Sequence, residues 1–216
     1  MTRPNYMFHR WLTNIPTTNF TQTSGAVYDV STSIITTVAA ATVTEYDFAT
    51  YFALSDMPNV AEFTTLFDQY KLNRVVFQIK MINVPSNTEF PNSNINNYGN
   101  FYPTIWYAPD HDDNVALTIA QLKEYEGVKH RVLQPNRELN ISLSPTTLQQ
   151  VYRSAVTTGY ACNFKKPWLD MAQADIPHYG LKFALDFEGI NLATNASQGF
   201  KFKVNVKYYF GCKNVR

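Results

Sequence analysis

Phe200-Lys201-Phe202-Lys203-Val204-Asn205-Val206-Lys207-Tyr208-Tyr209-Phe210 alternates without a break between an apolar set at even positions and a Lys, Asn or Tyr set at odd ones. Side chains along an extended strand point to opposite faces in turn, so this spacing predicts one face in a core and one in water or on a partner. The pattern recurs at Leu181, Phe183, Leu185 and Phe187 against Lys182, Asp186 and Glu188, and at Val75, Phe77, Ile79 and Met81 against Arg74, Gln78 and Lys80. Tyr46, Phe48, Phe52 and Leu54 alternate with Glu45, Asp47 and Tyr51. Shorter strands are expected at 104–108, 129–133 and 139–143, and short helical turns at 60–67 and 119–125, where apolar residues stand three to four apart. Strands with one apolar face each pair into antiparallel sheets that stack as a sandwich, so the fold class expected is all-β.

A chain of 216 residues is long enough for one full core, and all-β domains of this size are commonly undivided. Charged residues make up 16%, against roughly 25% in soluble domains, while aromatics reach 15%. Much of the surface is therefore uncharged or buried against partners. The formal net charge of +1 gives the chain as a whole no strong attraction to nucleic acid. Its distribution is uneven: no Lys or Arg lies between Arg10 and Lys71, whereas the last sixteen residues hold Lys201, Lys203, Lys207, Lys213 and Arg216. Cys162 and Cys212 lack metal-type spacing, and no disulfide is expected. No secretory leader and no run of membrane-spanning length is read, so no membrane partner is expected.

Three groups of residues could carry chemistry. Lys201, Lys203 and Lys207 share one face of the last strand and could meet phosphates; the plainer reading is a solvated face neutralised by Glu45 and Asp47 on a neighbouring strand. Tyr6, His9, Arg10 and Trp11 mix cations with rings that could stack on bases, or form an arm packed under the sandwich. Asp110-His111-Asp112-Asp113 gathers donors for a hard divalent cation, but it lacks the Gly and distal Glu of a calcium loop, and an acidic surface loop is the plainer reading. No metal or other cofactor is expected. For catalysis there is no Gly-x-Ser-x-Gly, no phosphate-cradling glycine loop and no His-Glu-x-x-His. Cys162 with His178 is the one pair that could be argued, and a structural thiol is commoner, so no enzyme is expected.

Ser55-Asp56-Met57-Pro58 and Glu62-Phe63 lead through Leu66-Phe67-Asp68-Gln69-Tyr70-Lys71-Leu72 into Arg74-Val75-Val76-Phe77. With Pro177-His178-Tyr179-Gly180-Leu181 and Tyr208-Tyr209-Phe210-Gly211-Cys212, this order and spacing over about 46–216 resembles the capsid proteins of circoviruses and related small circular single-stranded DNA (CRESS-DNA) viruses. The resemblance implies an eight-stranded viral jelly-roll β-sandwich with sheets BIDG and CHEF, long loops and short helical turns. By strand order, B falls near 44–54, C at 74–84, D at 103–108, E at 128–133, F at 137–143, G within 160–165, H at 179–187 and I at 200–210. Residues 1–42 would be an N-terminal arm and strand-A region, and 43–216 the jelly-roll domain. The function implied is a coat protein of which sixty copies self-assemble into a T=1 icosahedral shell around circular single-stranded DNA, with host-cell attachment through an unspecified receptor. The virion, and the host nucleus during assembly, are the implied locations. Lys201, Lys203 and Lys207 would look into the shell, and Arg3, His9, Arg10 and Trp11 complete the genome-facing set. Family members carry a long arginine-rich arm, of which Arg3 and Arg10 alone are matched here, so DNA binding by this chain is expected to be weakened. The alternative is a jelly-roll carbohydrate-binding module that holds sugar with loop aromatics and Asn or Asp.

Overall fold

The computed structural model describes residues 5–12, 14–22, 26–37, 45–83, 102–135, 137–154, 158–187 and 200–215. In chain order the strands are β1 (Tyr6–Trp11), β2 (Phe20–Gln22), β3 (Ala26–Asp29), β4 (Ile34–Thr37), β5 (Glu45–Phe52), β6 (Phe67–Asn83), β7 (Thr104–Ala108), β8 (Lys129–Val132), β9 (Glu138–Leu143), β10 (Thr147–Arg153), β11 (Thr158–Asn163), β12 (Leu169–Asp170), β13 (His178–Asp186) and β14 (Lys201–Val215); the helices are α1 (Val60–Leu66) and α2 (Ile119–Lys123). The Pro- and Asn-rich connection at 85–100 lies outside the described residues.

Two antiparallel sheets form the sandwich. One runs β4-β14-β6-β9, with β3 beyond β4, β1 beside the far half of β14 and β12 beside the start of β6. The other runs β2-β5-β13-β7-β8. These are the BIDG and CHEF sheets of an eight-stranded jelly roll, but the strand lettering expected from sequence needs correcting. β4 is strand B, β5 is C, β6 is D, β7 is E, β8 is F and β9 is G, each one letter later than expected, while β13 and β14 are H and I. The cause is β4: Ile34-Ile35-Thr36-Thr37 is short and uncharged, so its alternating burial leaves no apolar-against-charged signature. Without B, the lettering reaches G only at 160–165, which belongs instead to a separate two-stranded ribbon of β10 and β11.

The core fills as the alternation requires. Phe202, Val204, Val206, Tyr208 and Phe210 are each at most 1% exposed, while the odd-numbered residues from Lys201 to Tyr209 are half-buried on the opposite face. Aromatic rings join the layers: Phe183 of β13 stacks on Phe48 of β5 at 4.8 Å and meets Phe77 of β6 at 5.3 Å, and Phe52 stands edge-on to Tyr208 at 6.1 Å. Ring pairs of this kind add about 0.5–1.5 kcal/mol each beyond the area they bury. α1 starts at Asn59 in left-handed backbone (φ 58°), and its Phe63 packs edge-on to Phe210 at 5.1 Å.

The second sheet departs from the expected apolar-in, polar-out rule. α2 lies over β7 and β13, packing Ile119 and Leu122 on Ala108 and Ala184, and the Ile119 N–H donates to the Glu45 carboxylate on β5 at 3.3 Å. Asp47 and Lys182, expected in water, are therefore 5% and 1% exposed. Burial, reinforced by the Glu45 charge, pushes the Asp47 carboxyl up to about 7.

Phe202 is fully buried at the centre of this packing. Phe202→Ala is expected to destabilise the subunit by about 3–5 kcal/mol in chemical denaturation, and a loss below about 1 kcal/mol would contradict the observed packing.

Candidate functional site

The face of β14 turned away from the core carries Lys201, Lys203, Asn205, Lys207, Tyr209, Gly211 and Lys213 in a line. Pairing with β6 sets Lys80 opposite Lys203, Gln78 opposite Asn205 and Arg74 opposite Tyr209; on the other edge β1 sets Trp11 opposite Lys207 and His9 opposite Tyr209. Directly paired residues share a face, so Arg74, Lys80, Lys201, Lys203, Lys207 and Lys213 make one cationic surface. Glu138, opposite Lys80 on β9, is the carboxylate that the pairing brings to it.

Rings and cations interleave along this surface. The Lys207 ammonium stands 5.2 Å from the Trp11 ring centroid and 5.1 Å from that of Tyr209, and the Arg74 guanidinium lies 4.0 Å from the Tyr209 centroid. His9 lies 5.9 Å from Tyr209, and Lys213 sits 4.5 Å from Trp168. Each cation–ring pair is worth about 0.5–1 kcal/mol at exposed sites, enough to set side-chain direction without removing charge from water. The Lys207 ammonium at the Tyr209 hydroxyl pulls that phenol below its ordinary pKa, and Arg74 acts in the same sense. Gly211 is required here: a Cβ would stand 3.2 Å from Met7 Sδ and 3.3 Å from Trp168 Cη2, so its absence lets both close over the strand. An open depression of about 330 Å³ beside Trp11, Leu12, Gln78 and Asn205 continues the surface.

The structure sorts the residues singled out from sequence. Lys201, Lys203 and Lys207 are brought together with His9 and Trp11. Lys203 Nζ donates to the Thr32 carbonyl at the β3–β4 turn. Arg10 projects to the other side of β1, its guanidinium 5.6 Å from the Phe63 ring, because neighbours in a strand alternate. Arg3 lies outside the described residues. The expected neutralisation by Glu45 and Asp47 is overturned: both lie on β5 in the opposite sheet, since the strand beside β14 is β4. Arg74, Lys80, Tyr209, Lys213 and Trp168 join the site without having been expected there. The alternation in β6 already puts Arg74 and Lys80 on one face, but which strand β6 pairs with is not written in that pattern.

The Asp110–Asp113 loop holds a cation of its own. Lys182 Nζ lies 2.5 Å from Asp110 Oδ2 and 2.6 Å from Asp113 Oδ1, and the Tyr125 hydroxyl donates to Asp110 Oδ2 at 2.9 Å. The carboxylates of Asp110, Asp112 and Asp113 are close enough to share an ion, but the ammonium stands among them, and His111 turns aside to meet the Phe164 ring edge-on at 5.3 Å. Burial alone would raise Asp110; hydrogen bonds from Asp112 and Lys182 outweigh it and hold the carboxyl at about 2, while hydrogen bonding to Asp110 pushes Asp112 up to about 6. Cys162 and His178 keep separate partners. The thiol donates to the His111 carbonyl at 3.3 Å, and the buried His178 ring pairs through Nδ1 with the Ile176 carbonyl at 2.9 Å, with burial pushing it down to about 4. Among the described residues no helix is long and apolar enough to cross a membrane.

A family model described as circovirus capsid protein matches residues 2–216. No curated protein matches the chain. Among solved structures the chain is similar to the BFDV capsid protein in its 60-mer, at 14% identity and a TM-score of 0.59, over 99% of this chain and 96% of that one. It is also similar to the decameric BFDV capsid protein, at 14% identity and a TM-score of 0.45 over 99% and 98% of the two chains, and to a protein of Desmodium yellow mottle tymovirus, at 12% and 0.41 over 100% and 91%. The first likeness shows the fold, and the looser two carry no argument.

The buried ammonium also makes a test of the second sheet. Lys182→Met would leave the Asp110 carboxylate buried without its cation, and the subunit is expected to lose about 3–5 kcal/mol in chemical denaturation. A loss under about 1 kcal/mol would mean that Asp110 reaches water once the lysine is gone.

Proposed function

The chain belongs to the circovirus capsid protein family, and from that premise we propose that sixty copies close into a T=1 shell with the β4-β14-β6-β9 sheet turned inward onto single-stranded DNA. The family role is structural rather than enzymatic, and its place is the virion. The observation that supports the genome-facing orientation is the cation–aromatic surface of β14, β6 and β1. Lysines and Arg74 would neutralise phosphates, while Trp11, His9 and Tyr209 would offer flat faces to bases, the combination that holds single strands without regard to sequence. The proposed genome-facing set is therefore His9, Trp11, Lys201, Lys203 and Lys207 with Arg74, Lys80 and Lys213 added. Arg10 contributes through its place in the arm, with Arg3 upstream of it. Residues 1–42 serve as the arm and strand-A region and 43–216 as the shell-forming domain. The opposite surface, where α2 covers the second sheet, would then face outward and carry host-cell attachment, with assembly in the host nucleus. The carbohydrate-module alternative loses its ground with the family assignment.

Two measurements test this. Purified chain is expected to form uniform closed particles by electron microscopy and sedimentation; a strictly monomeric chain at high concentration and every salt tested would sink the assembly reading. Replacing Lys201, Lys203 and Lys207 together by Gln is expected to leave folding intact, since exposed positions rarely matter beyond about half a kcal/mol each. Packaged nucleic acid should fall, and the salt dependence of DNA binding should flatten by about 0.7 in log–log slope for each phosphate that no longer meets a lysine. An unchanged ratio of absorbance at 260 and 280 nm in mutant particles would reject the inward orientation of this face.

A further inference from the structure

We infer that the β10–β11 ribbon is a docking arm by which one copy of the chain seats on the next, an inference that rests on the assembly reading above. The ribbon is a two-stranded sheet of its own. Its root is tied to the body by the reciprocal backbone bonds of Thr146 and Tyr179 (2.9 and 2.8 Å), by the Cys162 thiol on the His111 carbonyl, and by Phe164 against the His111 ring. Beyond that root, among the described residues, the outer edges of both strands pair with no other strand. A lone two-stranded hairpin is marginal in water, and its open edges are templates for another chain.

Folded proteins usually guard such edges with lysine, proline or short strands. From Thr146 to Phe164 there is no proline, and Arg153 is the one charged residue. Val151, pushed out by a bulge between Gln150 and Tyr152, is 63% exposed; Tyr160 is 60% and Phe164 67% exposed. An unguarded, nearly neutral surface of Gln, Thr, Asn and Tyr with three bare apolar side chains does not fit a polyanion, which has the six cations of the β14 face to meet. It fits a protein surface as poor in charge as itself, and this chain, with 16% charged residues, is one. The size agrees: a specific interface takes roughly 20–30 residues a side, and 147–163 would supply more than half of one such side.

The test uses the full chain. Val151→Lys and Tyr160→Lys, made separately, are expected to keep the wild-type circular dichroism and melting, while the fraction of subunits in closed particles at equal concentration falls about tenfold or more, the factor that one strong interface residue supplies. Hydrogen exchange in the wild-type chain gives a readout that needs no variant: ribbon amides should exchange more slowly in particles than in dissociated subunits. Wild-type levels of assembly in both variants, or ribbon amides that exchange equally fast in particles and free subunits, would overturn the ribbon's role while leaving the assembly reading intact. A wild-type chain that forms no particles would overturn both.

Discussion

The register of β14 against β6 is the constraint on which the rest of the molecule depends. The two strands run antiparallel over nearly their whole lengths, from Lys201 opposite Asn83 to Val215 opposite Phe67, and β1 and β4 take their own registers from the other edge of β14. A strand's side chains reverse face with every residue, so a slip of one position would put Lys203, Lys207 and Tyr209 into the core and Phe202, Val204 and Val206 into water. Burying unpaired ammonium groups costs more than any rearrangement of the surface could return. The apolar set therefore holds the cationic set in place, although the two never touch.

The second sheet obeys a different balance. Its outer face is roofed by α2 and by the Asp110–Asp113 loop, so polar residues that a half-exposed sheet would hand to water must find partners inside. Lys182 finds Asp110 and Asp113. Such a pair adds little net stability over an apolar one of equal volume, but it makes the loop dependent on the sheet beneath it. The same loop supplies the His111 carbonyl and ring that anchor the ribbon, so the ribbon's direction is tied through one short segment to the core of β13. The subunit thus has two unlike outer faces: one open and cationic, one roofed and closed. A closed shell needs that distinction between inside and outside.

How much of this is legible in the sequence follows from which forces leave a local mark. β14, β6 and β13 are legible because apolar burial on one face and solvation on the other write a period of two directly into the residues. β4 is not, because four residues of Ile and Thr can be buried alternately without any contrast in charge. Its silence displaces six strand letters while leaving the two-sheet architecture untouched, since layer composition depends on which faces are apolar and strand order depends on pairing. Asp47 and Lys182 mislead for a related reason. Their positions obey the alternation, and only the roof of α2, a tertiary fact, turns the outward face of β5 and β13 into interior. Half of the cationic site is visible as the lysines of β14. The other half, Arg74 and Lys80, needs the knowledge that β6 is the neighbour.

β1 shows how one strand can serve both halves of the site at once. Phe8 turns inward to Phe63, Phe67 and Phe210 at 5.2, 5.8 and 5.6 Å, while His9 and Trp11 on the opposite face join Tyr209 and Lys207. Arg10, on the Phe8 side, covers the Phe63 ring instead of reaching the cationic face. The aromatic packing of Phe8 thereby fixes the orientation of His9 and Trp11, in the same way that Phe202 and Val206 fix the lysines of β14. Since Tyr6 pairs with Cys212 and Trp11 with Lys207, the chain enters β1 at the Lys213 end of the cationic line and leaves it near the middle. Residues ahead of Tyr6 are delivered to the end of the face where Lys213 and Trp168 stand, so an arm and a sheet surface of the same charge meet there, and a polyanion bound by one is brought to the other.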